Sequence, residues 1–219
     1  MSKSKESFEL HSKDIERLLA IHKEIAGEGP GRKYDVSVLH KAAIVLITAF
    51  WEAFCEDLAS EALAHIVKNS ATADALPEKL RKDIAKELKG SQHDLAVWGL
   101  ADGSWRSLVT ARIDDMAVER NRALNTPKAS NIDGLFAKAI ALDEVSANWK
   151  WSGMSKTAAV KRLNEYVSVR GAIAHRGDAD DAVRKSDVTT YFEHVTRLAD
   201  KTHEAVTAYV TSATGVAFT

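Results

Sequence analysis

The chain has 219 residues, 45% hydrophobic and 28% charged, with only three prolines, a composition that fits one globular domain and excludes a disordered or collagen-like polymer. Thirty basic residues against 31 acidic ones leave a net charge of −1, so no global field draws the protein onto nucleic acid and any such binding needs a local patch. The single Cys55 excludes an internal disulfide, the charged start MSKSKESFELHSK lacks the apolar segment of a secretion signal, and a cytoplasmic protein is expected.

Apolar spacing predicts a first helix over 8–26, with Ile15, Leu18, Leu19, His22 and Ile25 on one stripe. Gly27-Glu28-Gly29-Pro30-Gly31 stops it. With no strand before it and no Gly-Lys-Ser/Thr after it, this stretch reads as a linker and not as a phosphate cradle. A denser helix is expected from Val36 to about Lys68, capped by Asp35 or Ser37. At about 1.5 Å per residue it would reach about 50 Å, so a bend or break is expected within it. Leu46, Ala49, Phe50, Ala53, Phe54 and Leu58 recur at three- and four-residue steps and form its expected buried seam, which also holds Cys55 as a core thiol. The most hydrophobic run, 42–51, is too short to span a bilayer, and no membrane partner is expected. Glu52 interrupts this surface, either as a solvated or ion-paired residue or as a carboxylate that orients a site residue.

Residues 69–75 read as a connection, and Pro77 opens a short amphipathic helix through Lys89, with Leu80, Ile84 and Leu88 on its inner side and Gly90 behind. Trp98 and Trp105, with Gly99 and Gly103 between them, suggest a packed loop in the stretch after 91, and 104–123 a helix with Leu108, Ala111 and Met116 inward; 77–123 together form a short helical insertion. After the turn Asn125-Thr126-Pro127, a short helix is expected over 131–142. Asn148-Trp149-Lys150-Trp151 either stacks bases or folds its tryptophans onto the core. From Ser155 a helix places Ala159, Leu163, Tyr166, Val167 and Ile173 inward. A charged loop, 178–187, then leads to a last helix over 188–210, capped by Ser186 or Asp187 and packing through Tyr191, Val195, Leu198, Val206 and Tyr209. No stretch alternates like a strand, so the expected fold is all-α, a single unit over 1–219 with an N-terminal helix and linker at about 8–31.

Elimination narrows the chemistry. The chain carries no His-Glu-x-x-His motif, no Gly-x-Ser-x-Gly elbow, no Walker loop, no dinucleotide fingerprint and no Cys/His cluster at zinc spacing, so no metal or cofactor is expected. What remains lies in KRLNEYVSVRGAIAHRGD, residues 161–178: Arg170, whose guanidinium can hold a phosphate, and His175, whose imidazole is the side chain type that moves protons near neutrality. On one regular helix the two would sit about 140° apart and about 7.5 Å along the axis. Either the helix ends between them, as Gly171 would permit, or a second chain completes the pocket. The bland reading is a histidine capping a helix end and an arginine pairing nearby. Lys161, Arg162, Arg176, Arg184 and Lys185 make the neighbourhood basic.

Three stretches in order, VLITAFWEAFCEDLASEAL, NTPKASNIDGLFAKAIALDEVSANW and VSVRGAIAHRGD with its closing helix, resemble the HEPN superfamily from about Asp35 to Val210. The likeness is to the ribonuclease type, with Arg, four to six residues and then His near the end of a late helix, and to the subgroup found beside RNA ligase and phosphatase modules and its relatives in bacterial conflict systems. The third stretch is the most specific, since Arg170, the apolar Ile173, His175 and Gly177 fall where the family pattern has them. Gly171 departs from it, standing where the family often has Asn. The resemblance implies a HEPN-like helical bundle around a long core helix, working as a homodimer whose two motifs meet in a shared cleft. It further implies a metal-independent RNA endonuclease, acting as a toxin or anti-phage effector and held in check by an antitoxin or other regulatory protein. Arg170 and His175 would be catalytic, with Arg176 and Glu52 supporting or binding nucleic acid. The alternative is a catalytically inactive HEPN module that binds RNA or a protein partner.

Overall fold

The structure, a computed structural model, describes residues 2–26, 36–93, 95–101, 103–112, 126–176 and 183–219. Their order is α1 (Lys3–Ala26), α2 (Ser37–Asn69), α3 (Glu78–Lys89), α4 (Ala129–Ile140), α5 (Lys156–Arg176) and α6 (Lys185–Thr214). Residues 105–112 are helical too, and 3₁₀ turns lie at Ala73–Ala75, Ala96–Leu100 and Val145–Asn148. No strand occurs among the described residues, where the one isolated bridge joins Trp151 to Met154. The protein is all-α.

Helix α2 is the axis of the bundle and packs against α1, α4, α5 and α6. It runs for 33 residues without the break that was one of the two expectations, and it contains neither Gly nor Pro. Its N-cap is Val36, with no side-chain cap bond, and Asp35 lies outside the described residues. The buried side carries Ile44, Ile47, Trp51, Phe54, Cys55, Leu58, Leu63 and Ile66. The expected seam is therefore partly out of phase: Ala49 and Ala53 are exposed, and Leu46 and Phe50 are half-buried. The helix is apolar all round, so spacing cannot choose a side; bulk does. Burying a large aliphatic or aromatic side chain is worth about 1.5–3 kcal/mol, against one methyl for alanine. Trp51 and Ile47 thus turn inward, and Val38, Ala42, Ala49 and Ala53 face out.

Contacts fix the helix directions. Phe8 meets Phe54 and His22 meets His40, so α1 runs antiparallel to α2. His40 reaches the Val183 carbonyl and Thr48 reaches Tyr191, so α2 and α6 run parallel. Tyr166 stacks on Tyr191 and His194 bonds the Ala159 carbonyl, so α5 is antiparallel to both.

Several boundaries move for reasons that sequence spacing does not carry. Helix α1 begins at Lys3 because the Glu61 carboxylate accepts from the Ser4 backbone N–H at 3.1 Å and from its hydroxyl at 2.9 Å, and Lys5 pairs with Asp200 at 2.8 Å. Ile25, expected on the inner stripe, is 64% exposed. Trp98, expected to pack, is 73% exposed, while Trp105 is buried under the Arg106 guanidinium; Ala111 is exposed and Val109 takes its place in the core. Met116 lies outside the described residues. Trp149 is fully buried, its indole N–H donating to Thr202 Oγ1 at 2.9 Å and its ring 5.8 Å from Trp51, so it does not stack bases. By length and composition α2 could cross a membrane, but here 44% of its most apolar window is buried in the bundle.

Candidate nucleic-acid site at the end of helix α5

The Ser155 hydroxyl accepts from the Ala158 N–H at 3.2 Å and starts α5. Ala159, Leu163, Val167 and Ile173 bury its inner side, while Lys161 and Arg162 stay exposed. The helix continues without a break through Gly171 to Arg176. A Cβ added to Gly171 would meet nothing within 4 Å. The glycine is an ordinary interior residue of α5 and does not end it.

Arg170 is half-buried on the inward side, one turn beyond Tyr166, and His175 is exposed. Five residues of continuous helix set them about 140° apart around the axis and about 7.5 Å along it. One chain does not turn both toward the same point. Of the two arrangements allowed by the spacing, the early helix end is absent. Arg176 closes α5 and its side chain lies outside the described residues, as does Gly177.

Beside Arg170, Tyr166 and Tyr191 stack at 4.2 Å with an interplanar angle of 16°. The Tyr191 hydroxyl lies 2.9 Å from Thr48 Oγ1, and that oxygen lies 2.8 Å from the Ile44 carbonyl. Burial pushes the Tyr191 phenol well up, the Thr48 bond and the Arg170 charge pulling the other way. Burial raises Tyr166 as well, with Asp187 adding to it. Glu52 is half-buried on α2, one turn beyond Thr48. Given the helix directions, that turn leads away from Arg170, so the two backbones lie about two turns apart in level. The Glu52 charge acts on Cys55, whose thiol is raised by burial first and then by Glu56 and Glu52.

Spacing did not single out the tyrosine pair, Thr48 or His40 as site residues. His22 and His40 are both buried with ring centroids 4.8 Å apart, and His40 Nδ1 lies 3.0 Å from the Val183 carbonyl at the start of α6. They sit two turns beyond Thr48 on the same side as Arg170, joined across the glycine-rich linker, and a histidine on an apolar stripe is their only signal in the chain. Arg184 and Lys185, exposed at the start of α6, add positive charge at this end. Among the described residues no group of three or more His, Cys, Asp or Glu is arranged to hold a metal ion.

The family model for RiboL-PSP-HEPN matches residues 10–208. The chain belongs to the RiboL-PSP-HEPN family. Neither a curated protein nor a solved structure gives a match. HEPN membership supports a nuclease- or RNA-related role, and the all-helical bundle around α2 is consistent with the HEPN-like bundle that the three sequence stretches resemble.

Proposed function

We propose that this HEPN protein is a metal-independent RNA endonuclease whose active site is completed across a homodimer. The observation that carries the reading is the inward Arg170 and the exposed His175 on one unbroken helix of a RiboL-PSP-HEPN chain. Two copies related by a two-fold axis would bring two such helix ends into one cleft, with exposed imidazoles facing the half-buried guanidiniums. The outward face of α2 supports a second copy: Val38 is 64% exposed, and Ala42, Ala49 and Ala53 lie on the same face at steps of four and seven residues.

In this mechanism one imidazole takes the proton of an RNA 2′-hydroxyl as its oxygen forms a bond to phosphorus. The bond from phosphorus to the 5′-oxygen breaks, and a protonated imidazole delivers the proton to that oxygen. Arg170 holds the scissile phosphate and stabilises the charge that develops on it. The products are a 2′,3′-cyclic phosphate and a 5′-hydroxyl, and DNA, with no 2′-hydroxyl, is not cut. The setting is a cytoplasmic toxin or anti-phage effector restrained by a regulatory protein.

The test is end-labelled tRNA and a matched DNA strand in EDTA, with wild type beside Arg170→Ala and His175→Ala. Cleavage of RNA alone, lost in both variants while the mass is unchanged, supports the reading; cleavage retained in both removes the site. A second reading, an inactive HEPN module that binds RNA or a protein, is favoured by Gly171, which offers no hydrogen-bonding side chain beside Arg170. It predicts RNA retention with a steep salt dependence and no cleavage by wild type.

A further inference from the structure

Among the described residues, large hydrophobic side chains left exposed are scattered singly along the chain except at the 3₁₀ turn after α3, where Leu95 is 62%, Val97 50% and Trp98 73% exposed. The turn cannot fold them inward, because its inner side is filled. A Cβ added to Gly99 would lie 2.9 Å from Leu108 Cδ1, and Leu100 and Leu108 pack on the core. The backbone is closed by bonds from the Ala96 N–H to the His93 carbonyl at 2.9 Å, from Trp98 to Leu95 at 3.0 Å and from Ala101 to Trp98 at 3.0 Å. Three neighbouring apolar side chains are thus held out into water, which is the mark of a contact surface.

The turn packs against α3. Lys79, Lys82, Lys86 and Lys89 lie within about 80° of one another around that helix, opposite the buried Leu80 and Ile84. Lys79 and Lys82 pair with Asp143 and Glu78, and Glu87 pairs with Arg112, whereas Lys86 and Lys89 carry no ion pair among the described residues. A base-stacking site would join the indole to an arginine. Arg106 is spent elsewhere: its guanidinium lies 4.4 Å from the Trp105 ring and donates to the Ser70 and Ala71 carbonyls at 2.8 and 3.0 Å. Leu95 and Val97 offer no π-face to a base. A tryptophan with aliphatic neighbours and lysines beside it suits an anionic lipid surface, where the indole sits at headgroup level, the aliphatic groups enter the acyl boundary and the ammonium groups meet phosphates.

We propose that the Leu95–Val97–Trp98 turn and the outer lysines of α3 form a docking surface for an anionic lipid bilayer. The contact is superficial: three side chains enter the interface, and α2 stays within the bundle. Arg106 places the turn beside Ser70, just past the end of α2, whereas Arg170 lies toward the Thr48 end of that helix, about 30 Å away along its axis. Docking therefore leaves the motif helix end uncovered and does not depend on the ribonuclease reading.

The probe is vesicles of phosphatidylglycerol and phosphatidylcholine in equal parts, beside vesicles of phosphatidylcholine alone. Co-sedimentation measures binding. Tryptophan emission and acrylamide quenching report on Trp98, since Trp51, Trp105 and Trp149 are buried and Trp151 packs on the core. Wild type is expected to bind the mixed vesicles with a blue shift and reduced quenching, about tenfold or more tighter than phosphatidylcholine alone and more weakly as salt rises. Trp98→Ala should abolish the blue shift and weaken binding by about tenfold or more. Lys86→Ala combined with Lys89→Ala should weaken it by about tenfold or more. Leu95→Ser combined with Val97→Ser decides the matter should Trp98→Ala lose the helical circular dichroism of wild type. Wild type that fails to sediment with the mixed vesicles overturns the proposal, as does binding undiminished in the folded turn variant. Protection of Trp98 by tRNA, or by raising the protein concentration alone, with no binding to vesicles would assign the turn to RNA or to a second copy and overturn it too.

Discussion

His194 makes the stability of this bundle depend on pH in one direction. Its Nε2 lies 3.1 Å from the Ala159 carbonyl, so the neutral ring carries its proton there, and its Nδ1 is buried with no hydrogen-bond partner among the described residues. Burial lowers it from 6.5 to about 4; the Ala159 carbonyl opposes the shift and the Arg162 charge adds to it. Between about 4 and 6.5 the unfolded chain therefore binds the proton that the folded chain refuses, and stability rises with pH through that window and levels off above it. At pH 5 the unfolded imidazole is almost fully charged and the folded one only about a tenth. The cost relative to pH 7 is about 2 kcal/mol, or roughly 4–8 °C in Tm for a chain of this size. His194→Gln keeps an N–H donor for the carbonyl but cannot titrate. Thermal and urea unfolding of both proteins at pH 7 and pH 5 should show wild type losing about 2 kcal/mol more than the variant. His203, lowered chiefly by burial and next by Lys5, titrates in both proteins and cancels in the comparison. Parallel pH profiles would refute the reasoning.

Further predictions concern the helix interior, the core and the outer face of α2. Gly171→Ala adds a methyl to open space inside α5 and should raise stability by about 0.5–1 kcal/mol in urea unfolding; a loss would mean that this stretch is not helical in solution. Thr202→Val strands the buried Trp149 indole N–H and should cost about 1–3 kcal/mol by the same measurement, with an unchanged midpoint showing that the bond is not made. Ala49→Arg lies on the exposed side of α2, so the folded chain should keep its stability within about 0.5 kcal/mol. Light scattering should then fall from a dimer to the 23.9 kDa monomer, and a dimer that survives the charge would place the interface elsewhere.

Legibility followed how local each cause was. Helix α3 could be read from Pro77, the spacing of Leu80 and Ile84, and Gly90, because all its signals lie within one short stretch. The true start of α1 depends on Glu61, distant in sequence, and no window around Lys3 contains it. The phase of α2 was hidden because its apolar residues surround the helix, and only the neighbours that take Trp51 and Ile47 decide which side is core. At the candidate site, Arg170 and His175 stand out from the pattern, and their angular separation follows from helix geometry once α5 is continuous. Tyr191 and Thr48 carry no such mark, since a tyrosine on an amphipathic helix looks like packing until its hydroxyl is followed to a threonine on another helix. Gly171 permits a helix end, one of the two arrangements its spacing left open, but the packing of Val167 and Ile173 on either side carries the helix through it.

The placement of Cys55 makes the protein its own unfolding clock. The lone thiol is fully buried on the core side of α2 and, through burial, resists becoming a thiolate. A thiol reagent added to the native protein thus has nothing to attack until α2 leaves the bundle. Each labelled molecule records one opening of the core, with no second cysteine to blur the count. The fraction labelled over time measures the opening of the helix that holds the other helices together, without engineering a probe into it.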